Sequence, residues 1–202
     1  MTTFVFLALI GYFIGSVPSS YLSMRFFTGK DIRTMGTGSA TVTAVLMHGG
    51  KRPALVAFIS EIAKAVICIL IAYFAVGEAW ASLVILVAAV FGCNWSIWLK
   101  GGGGQGLTIG VSGLVLINVL AVLIMAAFYL MPMLITKRHV LSNRLFRISV
   151  PTVLWFWYNS WEWALAGCLI VLPSLIKEVA MGDDVVRARK ANGVGHNGGG
   201  AL

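Results

Sequence analysis

The sequence predicts an all-α, polytopic membrane helix bundle, and three observations lead to that class. The 202 residues are 59% hydrophobic, and only 11% of them are charged. The mean hydropathy of +0.91 exceeds what a soluble domain of this size would show. Long apolar stretches alternate with short segments that hold most of the basic residues, which is how membrane topology is encoded.

The amino-terminal half contains three predicted spans. The first covers about residues 4–24 and is expected to kink at Pro18, because proline removes a helical hydrogen bond. Its start carries no basic cluster, so it reads as a retained span rather than a cleaved signal peptide. The second covers about residues 54–76 and the third about residues 79–99, with a polar stretch over residues 29–53 before them.

The carboxyl-terminal half contains two further apolar stretches, separated by a basic segment at residues 137–147. Residues 106–136 hold no Lys, Arg, Asp or Glu, and residues 148–176 are interrupted by polar residues at 159, 160 and 162. We expect residues 1–190 to form a single transmembrane domain. The Gly-rich segment 191–202 is expected to be a disordered tail.

The basic residues predict the topology. If both carboxyl-terminal stretches are hairpins, 14 of the 15 Lys and Arg residues fall on one side, and only Lys64 lies within a span. The positive-inside rule then predicts seven spans, some of them short, with the N-terminus outside and the C-terminus in the cytoplasm. Roughly thirty residues for two crossings are few, since a full span needs about 20. Three spans plus two re-entrant hairpins therefore remain an alternative.

The glycine run at residues 101–106 is the first candidate site. Five glycines in six positions disfavour a helix but allow a backbone to approach an anion closely with its N–H groups. Gly103, Gly104, Gln105 and Gly106 are the predicted phosphate- or substrate-binding residues, with Asn94 in support. The alternative is a flexible turn between membrane helices. No Gly-Lys-Ser/Thr follows the run, so it is not a Walker A loop.

A second polar segment, residues 31–39, offers hydroxyls and glycines that could hold phosphate. Thr37, Gly38 and Ser39 are its predicted binding residues, and Arg33 is a predicted supporting residue. The alternative is a helix-entry turn with Ser or Thr capping.

Glu61 and Lys64 share one face of the second predicted span, because they lie three residues apart. Ionisable residues inside a span usually point into the bundle or a cavity. The sequence leaves two readings open: Lys64 faces a phosphate while Glu61 supports it, or the two form a self-neutralising structural pair.

The remaining polar and aromatic residues have simpler explanations. Six of the tryptophans lie near predicted span ends, as an interfacial aromatic belt would. The cysteines have no metal-ligand spacing, and no metal site is predicted. The net charge of +8 would suggest nucleic acid on a soluble protein, but here it serves topology and attraction to anionic headgroups. We therefore predict membrane lipid, and no nucleic acid, as a partner.

At these motifs the chain resembles the acyl-phosphate-dependent glycerol-3-phosphate acyltransferases of bacteria, the PlsY family, over most of its length. The matching elements are Gly15-Ser16-x-Pro18-x-x-Tyr21, Asp31-Ile32-Arg33 with Gly36-x-Gly38, the pair Glu61 and Lys64, and the stretch from Cys93 through the glycine run.

The resemblance implies a fold, a reaction and a location. The fold would have seven spans, an outside N-terminus and a site on the cytoplasmic side of the bacterial plasma (inner) membrane. The reaction would move an acyl group from acyl phosphate to the 1-hydroxyl of glycerol 3-phosphate, giving lysophosphatidic acid for phospholipid biosynthesis. The resemblance implies no metal, no cofactor and no side-chain nucleophile. The glycine loop and basic residues would hold the phosphates.

The chain departs from the family's motifs at positions that would carry this chemistry. The replacements are Thr37 for Ser, Ser39 for Asn, Thr41 for Gly, Ala44 for Asn, Met47 for Arg, Cys93 for His, Gln105 for Lys, and, with Gly182 setting the register, Leu172 for His and Leu175 for Asn. The loss of an Arg and a Lys removes two charge-assisted hydrogen bonds, each worth about 1.5–3 kcal/mol. Together they could weaken transition-state binding by about 10²–10⁴-fold.

Two functional hypotheses follow. One is an acyltransferase that works with relaxed motifs on acyl phosphate and glycerol 3-phosphate. The other is a non-catalytic subunit of a larger membrane protein complex on the same scaffold. A transporter would suit the broken spans and buried charges, but no internal repeat supports one.

Overall fold

The computed structural model describes residues 2–137 and 139–182. Over these residues the chain is helical, with short turns and two 3₁₀ segments, at Ile32–Thr34 and Ile97–Leu99. The α-helices are α1 (Thr2–Ser16), α2 (Ser19–Thr28), α3 (Val42–Gly49), α4 (Lys51–Ala75), α5 (Ala79–Asn94), α6 (Leu107–Ile117), α7 (Val119–Thr136), α8 (His139–Tyr158) and α9 (Trp161–Met181).

The long helices alternate in direction. Helix α1 runs parallel to α5, because Gly11 meets Ile85 and Gly15 meets Ala89. Helix α4 runs antiparallel to α1, since Lys64 bonds to the carbonyl of Val17 just after α1, whereas Ser23 in the middle of α2 donates to the carbonyl of Pro53 near the start of α4. Helix α6 is antiparallel to α5, as shown by the contact of Gly113 with Leu86.

The same alternation continues to the end of the described chain. Helices α7 and α8 are antiparallel, with Tyr129 beside Phe146 and Asn118 bonded to Tyr158. Helix α9 is antiparallel to α8 and parallel to α5. Residues 106–136 and 148–176 therefore each reverse direction once, as the charge pattern predicted.

The predicted membrane-helix class is confirmed. Among the described residues, five helices are long and apolar enough to cross a membrane: Thr2–Thr28, Lys51–Ala75, Ala79–Leu99, Val119–Thr136 and Trp161–Ala180. Helix α6 has only 11 residues, about 16 Å at 1.5 Å per residue, which is well short of a hydrocarbon core of about 30 Å. The count of seven spans and the sidedness of the termini remain predictions. The predicted tail, residues 191–202, lies outside the described residues.

The predicted kink at Pro18 is a break between α1 and α2. Val17 and Pro18 lie outside both helices. Helical hydrogen bonding resumes in α2, where the amide of Leu22 donates to the carbonyl of Pro18 at 2.9 Å. At the break the carbonyl of Val17 accepts from the amide of Ser19 at 2.9 Å and from the buried side chain of Lys64 at 2.9 Å. Polar backbone at membrane depth requires such internal partners.

Helices α1 and α5 touch backbone to backbone at three glycines. A Cβ atom on Gly15 would lie 2.0 Å from the carbonyl oxygen of Ala89, and one on Gly92 would lie 2.1 Å from that of Tyr12. On Gly11 it would lie 2.3 Å from the carbonyl oxygen of Ile85. Small residues let membrane helices approach closely, and here no larger residue fits.

Two of the polar segments, residues 29–41 and the glycine run, lie together at one end of the bundle. The loop over residues 29–41 abuts the glycine run, where a Cβ on Gly104 would lie 2.8 Å from the carbonyl oxygen of Ala40. Arg147, at the end of the basic segment 137–147, reaches the same end of the bundle, because it pairs with Glu178 of α9. Arg147 does not line the cleft between the glycine run and the start of α3.

We expect Gly15→Ala to lower stability, because its new methyl group would overlap a backbone oxygen that cannot move aside. Overpacking of this kind costs about 1–3 kcal/mol. The midpoint of thermal unfolding in detergent measures the effect. Ala127→Val, which adds carbon to an exposed face of α7, is the control and should leave the midpoint unchanged. Equal midpoints for Gly15→Ala and wild type would contradict the tight α1–α5 contact.

Candidate functional site

A small cleft opens at the end of the bundle where the glycine run meets the start of α3. Its volume is about 100 Å³, below the roughly 300–1,000 Å³ of drug-sized ligand pockets. A polar headgroup fits such a space better than a whole lipid. The lining residues are Ser20, Ala40, Thr41, Val42, Thr43, Glu61, Cys93, Gly104, Gln105, Gly106, Leu107 and Thr108.

The glycine run folds back on the end of α5. The amide of Gly103 donates to the carbonyl of Asn94 at 3.2 Å, and that of Gly104 donates to the carbonyl of Cys93 at 2.9 Å. A Cβ atom on Gly103 would lie 2.0 Å from the Cys93 oxygen, so a side chain there is excluded. At Gly106 the backbone turns with φ of 70° and α6 begins. The run is thus an ordered loop, not a slack connection.

Two buried side chains hold this loop in place. Lys177 of α9 is 6% exposed, and its Nζ donates to the carbonyl of Gly103 at 2.9 Å and also to that of Asn94. The Asn94 side chain donates from Nδ2 to the carbonyls of Val90 and Gln105, at 2.8 and 3.0 Å. The last helix and the end of α5 therefore fix both halves of the run.

Two helix N-termini face the cleft. Helix α6 begins at Leu107, directly after the glycine run, and helix α3 begins at Val42, capped by the Thr41 side chain, which accepts from the amide of Ala44 at 3.0 Å. The first-turn amides of a helix have no intrahelical acceptors and carry the positive end of its dipole. Because both ends line one cleft with Thr43 and Thr108, the site favours an anion.

Glu61 and Lys64 form a buried ion pair beside the cleft. Lys64 Nζ lies 2.9 Å from Glu61 Oε1 and donates to the carbonyl of Val17 at 2.9 Å. Cys93 Sγ lies 3.7 Å from the second oxygen, Oε2. Glu61 lines the cleft, whereas Lys64 does not. In this geometry the self-neutralising pair is formed, and the ammonium group serves the broken backbone at Val17.

The other predicted residues lie next to the cleft rather than in its wall. Gly38 turns with φ of 77°, and Ser39 is buried with an Oγ that has no hydrogen-bond partner. The amide of Ser39 donates to Thr37 Oγ1 at 3.3 Å. The wall is formed instead by residues 40–43, which follow directly. The predicted segment is therefore adjacent, but displaced by a few residues.

Arg33 lies on the outer side of the same loop. Its guanidinium pairs with Asp31 at 2.7 Å and stacks over the Tyr21 ring, with the centroid 5.0 Å away. This hydrogen-bonded guanidinium holds the pKa of the Asp31 carboxyl below its usual range. The Arg33 side chain also lies close to Gly102, at 4.0 Å from where a Cβ would be. Arg33 is absent from the cleft wall.

Comparison with known proteins identifies the family. The glycerol-3-phosphate acyltransferase family model matches residues 5–181. A glycerol-3-phosphate acyltransferase of Thermosynechococcus vestitus is 32% identical over 189 residues, covering 87% of this chain and 89% of that protein. Glycerol-3-phosphate acyltransferase 1 of Dehalococcoides mccartyi is 36% identical, with 85% of each chain covered.

This chain belongs to the glycerol-3-phosphate acyltransferase family. The fold agrees: the crystal structure of PlsY (YgiH), an integral membrane glycerol 3-phosphate acyltransferase, in its glycerol 3-phosphate form matches with a TM-score of 0.71. That match covers 89% of this chain and 92% of the other, at 22% identity. The resemblance that the motifs indicated is thereby confirmed, and this acyltransferase-family member is an integral membrane protein.

Sequence reasoning missed two features of this family member's site. The sequence alone gives Lys177 no role in a site, yet it is the side chain that ties α9 to the glycine run. A lysine one residue beyond a long apolar stretch was the available signal. Ser20 lines the cleft from α2, and nothing in its local sequence distinguishes it from Ser19.

Lys177→Met should loosen the glycine run, because the carbonyls of Asn94 and Gly103 lose a charged donor. We expect faster amide hydrogen exchange over residues 95–107 and a loss of about 1.5–3 kcal/mol of stability per charge-assisted bond. Lys51→Met, at an exposed lysine at the start of α4, is the matched control. Unchanged exchange over 95–107 would show that Lys177 does not hold the loop.

Lys64→Met should cost about 3–5 kcal/mol, because it leaves Glu61 buried without its partner. The double variant Glu61→Gln, Lys64→Met should recover most of that loss. Denaturant unfolding of the four proteins in a double-mutant cycle measures the coupling. Losses that simply add would mean that the pair contributes no mutual stabilisation.

Proposed function

We propose that this chain transfers an acyl group from an acyl phosphate to the 1-hydroxyl of glycerol 3-phosphate and releases lysophosphatidic acid. One observation carries the proposal: the N-termini of α3 and α6 face a single cleft that the ordered glycine run closes. Family membership supports the reaction, although a fold does not carry an activity by itself.

In the proposed reaction the substrate hydroxyl oxygen attacks the acyl carbonyl carbon. A new ester C–O bond forms, the C–O bond to phosphate breaks, and inorganic phosphate leaves. The hydroxyl proton passes to the substrate's own phosphate, so that no side-chain base is required. Because the hydroxyl attacks the acyl carbon directly, no side-chain nucleophile takes part. The protein's contribution is to hold two anionic groups in one geometry.

Backbone amides and hydroxyls are the proposed anion ligands. They are the first-turn amides of α6 and the hydroxyls of Thr41, Thr43 and Thr108, which lie in the cleft wall. Asn94 Oδ1 is buried close by and has no hydrogen-bond partner; because it is an acceptor, it suits a substrate hydroxyl or a water and not the phosphate itself. Thr37, Gly38, Ser39 and Gly103 support this wall from behind.

Among the described residues, the cleft wall carries a negative charge and no positive side chain, which disfavours a phosphate ligand. Glu61 is the charged side chain in the cleft wall, and Gln105 stands where the family motif has lysine. A hydrogen bond from a charged donor to phosphate stabilises the complex by about 1.5–3 kcal/mol. If that bond acts in the transition state, its loss lowers the rate by roughly 10–100-fold. We therefore propose a slow enzyme, whose rate a restored charge would raise.

Gln105→Lys should raise kcat/KM by roughly 10–100-fold, because it returns an ammonium group to the half-buried rim of the cleft. The assay gives acyl phosphate and glycerol 3-phosphate to protein in lipid and measures lysophosphatidic acid against a heat-killed sample. Gln105→Met is the matched control, since it is uncharged and of similar length. Activity in wild type that Gln105→Lys leaves unchanged would show that charge does not limit the rate.

A second function is favoured by the same charge deficit. The chain could be a non-catalytic subunit of a larger membrane complex, with Met47 exposed on α3 and turned away from the cleft wall. A complete lack of product from both wild type and Gln105→Lys would favour this function. Mild detergent extraction that yields only the 21.7 kDa chain in a micelle, with no co-purifying chain, would count against it.

A further inference from the structure

A second cavity lies in the groove between α8 and α9. Its volume is about 580 Å³, and it shares no lining residue with the cleft at the glycine run. Its walls are formed by Arg144, Arg147, Ile148, Pro151, Thr152, Cys168, Val171, Leu172, Leu175, Glu178 and Val179. Leu172 and Leu175, which stand where the family motif has His and Asn, lie in this groove and not in the cleft wall. The reaction proposed for the cleft therefore uses none of the residues that line the groove.

One end of the groove contains an incompletely satisfied arginine. Arg147 is 1% exposed, and its Nη1 pairs with Glu178 Oε2, but Nε and Nη2 are buried with no hydrogen-bond partner. A buried donor without an acceptor costs about 1–3 kcal/mol, and more when it is charged. Native proteins rarely leave such groups unmet, so an acceptor from outside the described chain is expected here.

The charges at this end add up to one positive charge. Arg144 and Arg147 contribute two positive charges and Glu178 one negative charge among the lining residues. Arg144 is exposed at the mouth, so its charge is available to an approaching group. The complement is a ligand with one negative charge and several acceptor oxygens, such as a phosphodiester.

The rest of the groove is apolar. Beyond the two arginines, the wall of α8 extends from Ile148 to Thr152, four residues or about 6 Å at 1.5 Å per residue, and the wall of α9 extends from Leu175 back to Cys168, seven residues or about 10 Å. The opposite wall, on α9, carries Val171, Leu172 and Leu175. A polar end joined to an apolar trough of this length matches a phosphate headgroup with an acyl chain below it.

We propose that this groove binds one anionic glycerophospholipid from the surrounding bilayer. The phosphodiester meets Arg144 first, and a turn of the Arg147 side chain brings its unpaired N–H groups onto the phosphate oxygens. One acyl chain lies along Leu172 and Leu175. A partner helix fits less well, because it would have to carry its own acidic group into the membrane to satisfy Arg147. The proposal is independent of catalysis at the cleft.

The test is native mass spectrometry of the full chain, released from detergent that contains either phosphatidylglycerol or phosphatidylcholine. We expect one phosphatidylglycerol per chain to be retained, and phosphatidylcholine to be lost. Leu172→Trp, which fills the trough, and Arg144→Gln, which removes the exposed charge, should each weaken retention about tenfold, a change of about 1.4 kcal/mol.

Two matched variants separate site loss from general disturbance. Leu134→Trp places the same bulk on an exposed part of α7, and Arg52→Gln removes an exposed charge at the start of α4; both should retain phosphatidylglycerol as wild type does. Equal retention of both lipids, or unchanged retention in Leu172→Trp, would overturn the proposal.

A competition experiment distinguishes the bilayer lipid from an acyl substrate or product. Lysophosphatidic acid added at the concentration of phosphatidylglycerol should leave the bound lipid in place. Displacement would overturn the proposal and make the groove a path for the reaction's own amphiphiles. A chain that is silent in the acyltransferase assay but still retains phosphatidylglycerol would refute the proposed function and leave this inference standing.

Discussion

The backbone contact between α1 and α5 is the constraint on which the rest of the structure depends. Because Gly11, Gly15 and Gly92 present no side chains, the two helices meet carbonyl to Cα along their length. The end of α1 is thereby brought to the turn after α5, where Ser96 Oγ donates to the carbonyl of Ser16 at 2.6 Å. The break at Pro18 and the glycine run are consequently neighbours, although they lie far apart in the sequence.

Both buried lysines near this site donate hydrogen bonds to backbone carbonyls at points where a helix is interrupted or ends. Lys64 donates to the carbonyl at the α1–α2 break, and Lys177 donates to two carbonyls where α5 turns into the glycine run. Backbone carbonyls outside regular helix at membrane depth must find hydrogen-bond donors within the protein. The ammonium group of a lysine supplies up to three such donors. In this geometry, neither ammonium group is part of the cleft wall. The field that favours an anion in the cleft comes from two helix ends and their amides.

This arrangement explains how a family scaffold can persist while its motif charges are lost. The positions that hold the loop are glycines, Asn94 and Lys177, and their contacts are internal to the protein. Gln105 is half-buried and lines the cleft. In the proposed function, substitution there changes ligand binding, whereas the residues that hold the loop keep the fold.

The sequence by itself determined the helical membrane class, the reversal within each carboxyl-terminal stretch and the importance of the glycine run. These follow from composition, charge and backbone freedom, which are local properties. Only the tertiary structure decided that Lys64 turns to Val17, that Lys177 reaches Gly103, and that residues 40–43 rather than 37–39 form the cleft wall. Each depends on how helices distant in sequence are rotated and offset against one another. Close packing fixes that rotation and offset, and no local pattern encodes them.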